Sequence, residues 1–327
     1  MTETVWINGK YHDRAAATVS AFDSAFQHGV GLFETMLATS GRVFRLERHV
    51  ERMTRSASEL GLSRLIKAKL LGELVEEVVT HSGLAEGDNR ARVRVTLTAG
   101  DLSLLRPLPA RVPGEMGETD GVGSATNQID PTLMIVVSPA TQYPAEMFTR
   151  GVGVMVPEAR ASRHDPGAGH KTVNYWWRLA ALREAAALGM GECLILSDTN
   201  HLCGGAVSNV FLVKKGTIST PFARGEEAEG AARSPVLPGV TRGAVIEFAG
   251  VGGAGGGAGG GAGVVGVERR VLGINQALEA DEVFLTNSGW GVLPVVRIEG
   301  HVVGAGTPGP ITMRLRSLWE RAIREEP

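Results

Sequence analysis

Disulfides, membrane spans and one-sided charge are all missing from this chain of 327 residues. Its two cysteines, Cys193 and Cys203, are too few for a disulfide framework. No His, Cys, Asp or Glu group stands at ligand spacing, so no metal is expected. No apolar run approaches the length of a membrane helix, and the N-terminus has no basic stretch followed by an apolar one. Lys and Arg number 33 against 35 Asp and Glu, and a net charge of -2 gives no footprint for nucleic acid or an anionic membrane. Two cysteines without a secretory signal suggest a reducing compartment, so a cytoplasmic protein is expected. Hydrophobic residues make up 43%, and the length allows two domains with sizeable cores.

The residues that are present converge on 160–213. Lys171 stands in Gly169-His170-Lys171-Thr172-Val173-Asn174-Tyr175-Trp176-Trp177, just before an alanine- and leucine-rich segment, 174–188. In that segment Leu179, Leu182, Ala185, Ala186 and Leu188 fit one face of a helix. A helix start disfavours a cation and aromatic neighbours desolvate it, so both favour the nucleophilic amine that a Schiff base requires. A solvated loop lysine is the alternative. Beyond the helix come a strand at 192–196, a turn at Ser197-Asp198-Thr199-Asn200, and a strand opening on Ser208-Asn209-Val210-Phe211. A Lys214-Lys215-Gly216 turn and Thr220-Pro221 follow.

Earlier in the chain, Asn8-Gly9 marks a hairpin, and Ser40-Gly41 joins 33–39 to 42–44 in a second one. The intervening segment 21–35 ends in Phe33-Glu34-Thr35. Leu46, Val50, Met53, Ala57 and Leu60 step at helical spacing over 46–62, a helix that carries His49 and Arg52. A second helix is predicted at 66–81. The alternation over 92–98 predicts a strand with Arg92 and Arg94 on one face. That pair is either edge-strand protection or a carboxylate pocket. Residues 106–130 are rich in Pro and Gly and read as an irregular loop, followed by strands at 133–137 and 151–156.

After Thr220-Pro221, residues 222–233 read as a mobile loop. Gly239, Val240 and Thr241 then open a helix predicted at 244–248. Free N–H groups, a hydroxyl and the positive end of the dipole would make an anion site there, although an ordinary Thr-initiated helix is the alternative. Residues 249–266 are nearly all Gly, Ala and Val and read as a flexible insertion. A Gly-x-Gly-x-x-Gly match inside them is spurious, because the preceding strand and following acidic residue of a dinucleotide site are missing. A buried strand then ends in the turn Thr286-Asn287-Ser288, and a helix at 311–323 closes the chain.

The order of lysine, helix, hairpin, Ser-Asn-Val-Phe and Thr-Pro resembles the class IV, or fold-type IV, pyridoxal-phosphate enzymes. These include branched-chain aminotransferases, D-amino-acid aminotransferases and aminodeoxychorismate lyases, and the resemblance spans roughly 21–315. It implies an α/β (α+β) fold in two domains. A smaller N-terminal α/β domain would cover 1–140, with a linker at 141–150. A larger cofactor-binding domain with a pseudo-barrel sheet would cover 151–327. It further implies a homodimer, pyridoxal 5'-phosphate, and an amino acid and a 2-oxo acid as substrates, branched-chain amino acids among the candidates. By the same resemblance Lys171 holds the cofactor as a Schiff base and shuttles the α-proton. Arg52, Gly239, Val240, Thr241 and Ser288 cup the phosphate, Tyr175 neighbours the ring, and Arg94 with Arg92 recognises carboxylate.

Two positions depart from the family pattern. Five residues before Asn209, where the family has a glutamate on the pyridine nitrogen, stands Gly204, and no carboxylate is nearer in sequence than Asp198. A ring without an acidic partner is a weaker electron sink. Ala99 occupies the place of a carboxylate-trapping arginine of D-amino-acid aminotransferases, which argues against that subgroup. The Thr-Asn-Ser turn is closer to aminodeoxychorismate lyases. Three readings follow: an aminotransferase first, then a lyase releasing pyruvate and 4-aminobenzoate from aminodeoxychorismate, then a non-catalytic relative that binds the cofactor.

Overall fold

A computed structural model describes residues 3–101, 131–251 and 266–325. The expected loop at 106–130 and most of the 249–266 insertion lie outside these residues. The first half builds a six-stranded antiparallel sheet in the order Lys10–His12, Thr4–Ile7, Leu133–Pro139, Arg90–Thr98, Gly31–Thr39, Arg42–Val43. Both predicted hairpins form. Asn8 and Gly9, and Ser40 and Gly41, all have positive φ, which suits the twist of tight two-residue turns. Alternation along Gly31–Thr39 sends Leu32, Met36 and Ala38 to one face. There they pack under Val50, Met53 and Ala57 of the helix Leu46–Glu59, and Val75 and Val78 of the helix Ala68–Ser82. The first helix ends three residues sooner than its periodicity predicts, where Gly61 turns left-handed at φ 70. Arg90–Thr98 is paired on both sides, so Arg92 and Arg94 are not guarding an edge.

The second half forms a mixed eight-stranded sheet, with Asn209–Lys214, Glu282–Asn287 and Gly291–Ile298 at its centre. Phe211 and Phe284 stack across two of these strands with ring centroids 4.8 Å apart. The helices Val240–Val251 and Pro310–Glu325 cover that face through Val245, Leu315 and Trp319. The buried Glu282 carboxylate caps the second of them, accepting the N–H groups of Ile311 and Thr312. A three-stranded sheet, Leu202–Gly204, Ile195–Ser197 and Arg160–Ala161, completes this half. The fold is thus α/β with separate sheets, as the sequence predicts. The 222–233 segment has no regular structure, but it is anchored rather than loose. Its Glu226 accepts from Arg242 at 2.8 and 2.7 Å and from Arg269 at 3.1 Å.

Two backbone hydrogen bonds join the halves at the site. The N–H of Phe33 donates to the carbonyl of Lys171 at 2.9 Å, and that of Val173 to Gly31 at 3.0 Å. Residues around Thr172 thereby pair with the free end of strand Gly31–Thr39, opposite Leu32. A side chain at Gly31 would crowd both neighbours, since a Cβ there would stand 2.8 Å from the carbonyl oxygen of Leu97 on the adjacent strand and 3.4 Å from Val173 Cγ2.

Candidate active site

A cavity of about 770 Å³ opens between the helix-free face of the first sheet and the loops of the second half. Lys171 projects into it. The helix after it begins only at Trp176, so aromatic faces and not a helix end surround the amine. Nζ lies 4.4 Å from the ring centroid of Phe33 and 5.5 Å from that of Tyr175. The two rings meet edge-to-face at 5.1 Å. Lys171 has no ion pair among the described residues.

At one end Arg52, Gly239, Val240 and Thr241 meet at the wall of the cavity. Arg52 is 5% exposed and held by Glu34, which accepts from Nε at 2.7 Å and Nη2 at 2.6 Å. Nη1 donates to the carbonyl of Pro238 at 2.8 Å. Three of the five guanidinium hydrogens are thereby committed, and two remain. Burial opposes ionisation of Glu34, but the Arg52 charge and the bond from His49 outweigh it and hold the carboxyl at about 2. Burial pushes the pKa of His49 down, so a neutral imidazole donates Nδ1–H to this carboxylate at 2.8 Å. Thr241 is the second residue of the helix Val240–Val251, in the first turn, where N–H groups have no intrahelical acceptor. Its hydroxyl is buried without a partner among the described residues, as are Thr286 Oγ1 and Trp290 Nε1. Asn209 shapes the loop before this helix. Its Nδ2 donates to the Leu237 carbonyl at 2.9 Å, and its Oδ1 would lie 2.0 Å from any Cβ on Gly239. Ser288 is half-buried on the adjoining turn and also faces the cavity.

Arg92 and Arg94 reach the same cavity from the first sheet, together with Phe33 and Thr35. Arg94 is stacked 4.0 Å from the Phe33 ring centroid. Burial, and then the neighbouring Arg92, make its charge less favourable than usual. No carboxylate pairs with either guanidinium among the described residues. Two such uncompensated cations on one wall favour an anionic ligand.

The remaining end is closed by residues 203–207 and Arg178. Gly204 has φ 144, and a Cβ there would stand 2.5 Å from the Ser208 carbonyl oxygen. A glutamate at 204 would therefore distort the loop before it reached the cavity. Gly204→Ala is expected to cost about 1–3 kcal/mol, read as a lower melting temperature. An unchanged melting temperature would show that the loop relaxes freely. Glu192, remote in sequence, lies beneath this loop. Its carboxylate accepts from the N–H groups of Cys193, Ala206 and Val207 and from Ser208 Oγ. Burial pushes this carboxyl up, and its bonds hold the loop and not a ligand.

Sequence reasoning missed Glu34, Thr286, Glu192 and Arg178. The first had a visible signal, a carboxylate inside the apolar strand Gly31–Thr39. Arg178 had none, because an arginine in a short alanine-rich helix usually faces solvent.

The model of the family described as amino-transferase class IV matches residues 31–298. The branched-chain-amino-acid aminotransferase of Escherichia coli K12 is 27% identical over 95% of this chain and 90% of its own. The aminodeoxychorismate lyase of Bacillus subtilis strain 168 is 24% identical over 98% and 94%. Among solved structures, the branched-chain aminotransferase of the archaeon Thermoproteus uzoniensis with norvaline shares the fold. Its TM-score is 0.75 at 24% identity, with 99% of this chain and 96% of that one covered. The chain belongs to the class IV aminotransferase family of enzymes, whose cofactor is pyridoxal 5'-phosphate.

Proposed function

We propose that the protein is an aminotransferase that moves an amino group between an amino acid and a 2-oxo acid. The observation that carries this reading is a lysine amine sharing one cavity with an anion cup and with two unpaired guanidiniums. The residues fit the cofactor. The unpartnered Thr241 hydroxyl, the first N–H groups of Val240–Val251 and the two spare donors of Arg52 suit a phosphate, with Gly239 leaving room and Ser288 adding a hydroxyl. Pyridoxal phosphate supplies an aldehyde for amines and a ring that draws electrons from the substrate α-carbon. Lys171 would be the residue that holds the cofactor covalently, and its freed amine would serve as base and acid for the α-proton. Tyr175 borders the ring, and Arg94 with Arg92 grips carboxylate. The buried reduced thiols Cys193 and Cys203 suit the cytoplasm. Phe26 and Trp176, 79% and 76% exposed, suit a homodimer.

A lyase that releases pyruvate and 4-aminobenzoate from aminodeoxychorismate is favoured by the Asn287 turn. There the side-chain oxygen accepts the N–H groups of Gly289 and Trp290. Turnover of amino acids with a 2-oxo acid, set against turnover of aminodeoxychorismate without one, separates the readings. Transamination requires the second substrate and the lyase does not. A bound chromophore unchanged by every amino acid and by aminodeoxychorismate would leave a binding protein without turnover.

A further inference from the structure

Among the described residues, the 204–206 end of the cavity has no carboxylate able to meet a ring nitrogen. Asp165 is the single acidic residue among those lining the cavity, and it is exposed with its Oδ1 on the N–H of Gly167. Glu192 is saturated by the donors named above and does not reach the cavity wall. The thiols of Cys193 and Cys203 are pushed up by burial to about 12 and stay neutral.

Arg178 is the charged group at this end. It lies in the first turn of Trp176–Ala187, with its guanidinium carbon 4.5 Å from the Trp177 ring centroid and 5.8 Å from that of Tyr175. Lys171 Nζ approaches that same Tyr175 ring. Nη1 donates to the carbonyls of Gly205 and Ala206, both at 3.3 Å, and no ion pair neutralises the group among the described residues. Donors on Nε and Nη2 are left over.

With the aldehyde carbon at Lys171 and the phosphate at Arg52 and Thr241, two polar groups of the cofactor remain: the 3-hydroxyl, beside the aldehyde and so near the lysine, and the ring nitrogen, opposite the aldehyde-bearing carbon and so farthest from it. Resting on the proposed cofactor placement, we infer that Arg178 meets the ring nitrogen of pyridoxal phosphate and donates a hydrogen bond to it, so that this nitrogen stays unprotonated. A guanidinium has no lone pair to accept a pyridinium N–H and does not give up its own proton in proteins. The ring is therefore a weaker electron sink than one facing a carboxylate. More of the work at the α-carbon falls to Lys171.

Nitrogen NMR on holoenzyme carrying ring-labelled cofactor tests this without turnover. The wild-type signal is expected at the unprotonated, hydrogen-bonded position at neutral pH. Arg178→Glu is expected to move it to the pyridinium position. If that variant releases the cofactor, Arg178→Met should bring the signal to that of free unprotonated pyridine, while Arg178→Lys restores part of the hydrogen-bonded shift. A wild-type signal at the pyridinium position overturns the inference, as does one that none of the cofactor-retaining variants moves. Failure of the wild type to retain pyridoxal phosphate sinks the proposed function instead.

Discussion

Lys171→Ala is expected to abolish turnover while leaving the fold intact. The side chain is half-exposed, makes no ion pair among the described residues, and touches its neighbours through ring faces. The bonds that seat this segment run through the Lys171 carbonyl and the Val173 N–H, which alanine at 171 preserves. Stability should change by about 0.5 kcal/mol or less, as for substitutions away from buried networks. Loss of the proton shuttle alone removes about 10²–10⁴-fold in rate, and loss of covalent attachment adds to it. The measurements are borohydride trapping, steady-state rate and thermal melting. A trappable adduct that persists in the variant would remove Lys171 from the chemistry.

Glu34→Ala should produce the largest loss of stability. It leaves Arg52, 5% exposed, and His49, 1% exposed, without their shared acceptor. Stranding a buried charge in this way costs about 3–5 kcal/mol. Arg52→Ala should both weaken cofactor retention and destabilise the fold, because it strands the buried Glu34 carboxylate. The pH dependence follows from the same carboxylate. Its pKa is depressed from 4.5 to about 2, so its contribution is complete above pH 4.5 and fades as pH falls toward 2. That contribution is on the order of a few kcal/mol. The urea midpoint of the wild type should therefore fall as pH drops through this window, and Glu34→Gln should flatten that fall. Parallel acid profiles for the two proteins would assign the loss to other groups.

Much of this molecule is legible in its sequence, and the reasons differ by residue. Asn8-Gly9 and Ser40-Gly41 announce their hairpins because few residues accept positive φ twice in a row. The helix at Leu46–Glu59 shows in its apolar spacing, and Lys171 in the motifs around it. The partnership of Glu34 with Arg52 does not show. It depends on which face of a strand meets which turn of a helix, a matter of tertiary placement. Strand order decided the meaning of Arg92 and Arg94, since pattern alone could not say that Arg90–Thr98 is an interior strand. Glu192 illustrates the same limit, because it stands twelve residues before the loop it holds up and nothing local links them.

The main-chain stitch between residues 31–33 and 171–173 has a mechanical corollary. Phe33, Arg94 and Lys171 belong to one hydrogen-bonded lattice, with Phe33 bonded to the Lys171 carbonyl and its strand in register with Arg90–Thr98. An opening of the cleft that left this lattice intact would have to come from other segments, such as the loops bearing Gly239 and Ser288. On the proposed function, the backbones that carry the amine and the guanidiniums form one hydrogen-bonded unit, and that tie would set the substrate length the site accepts independently of motion at the mouth.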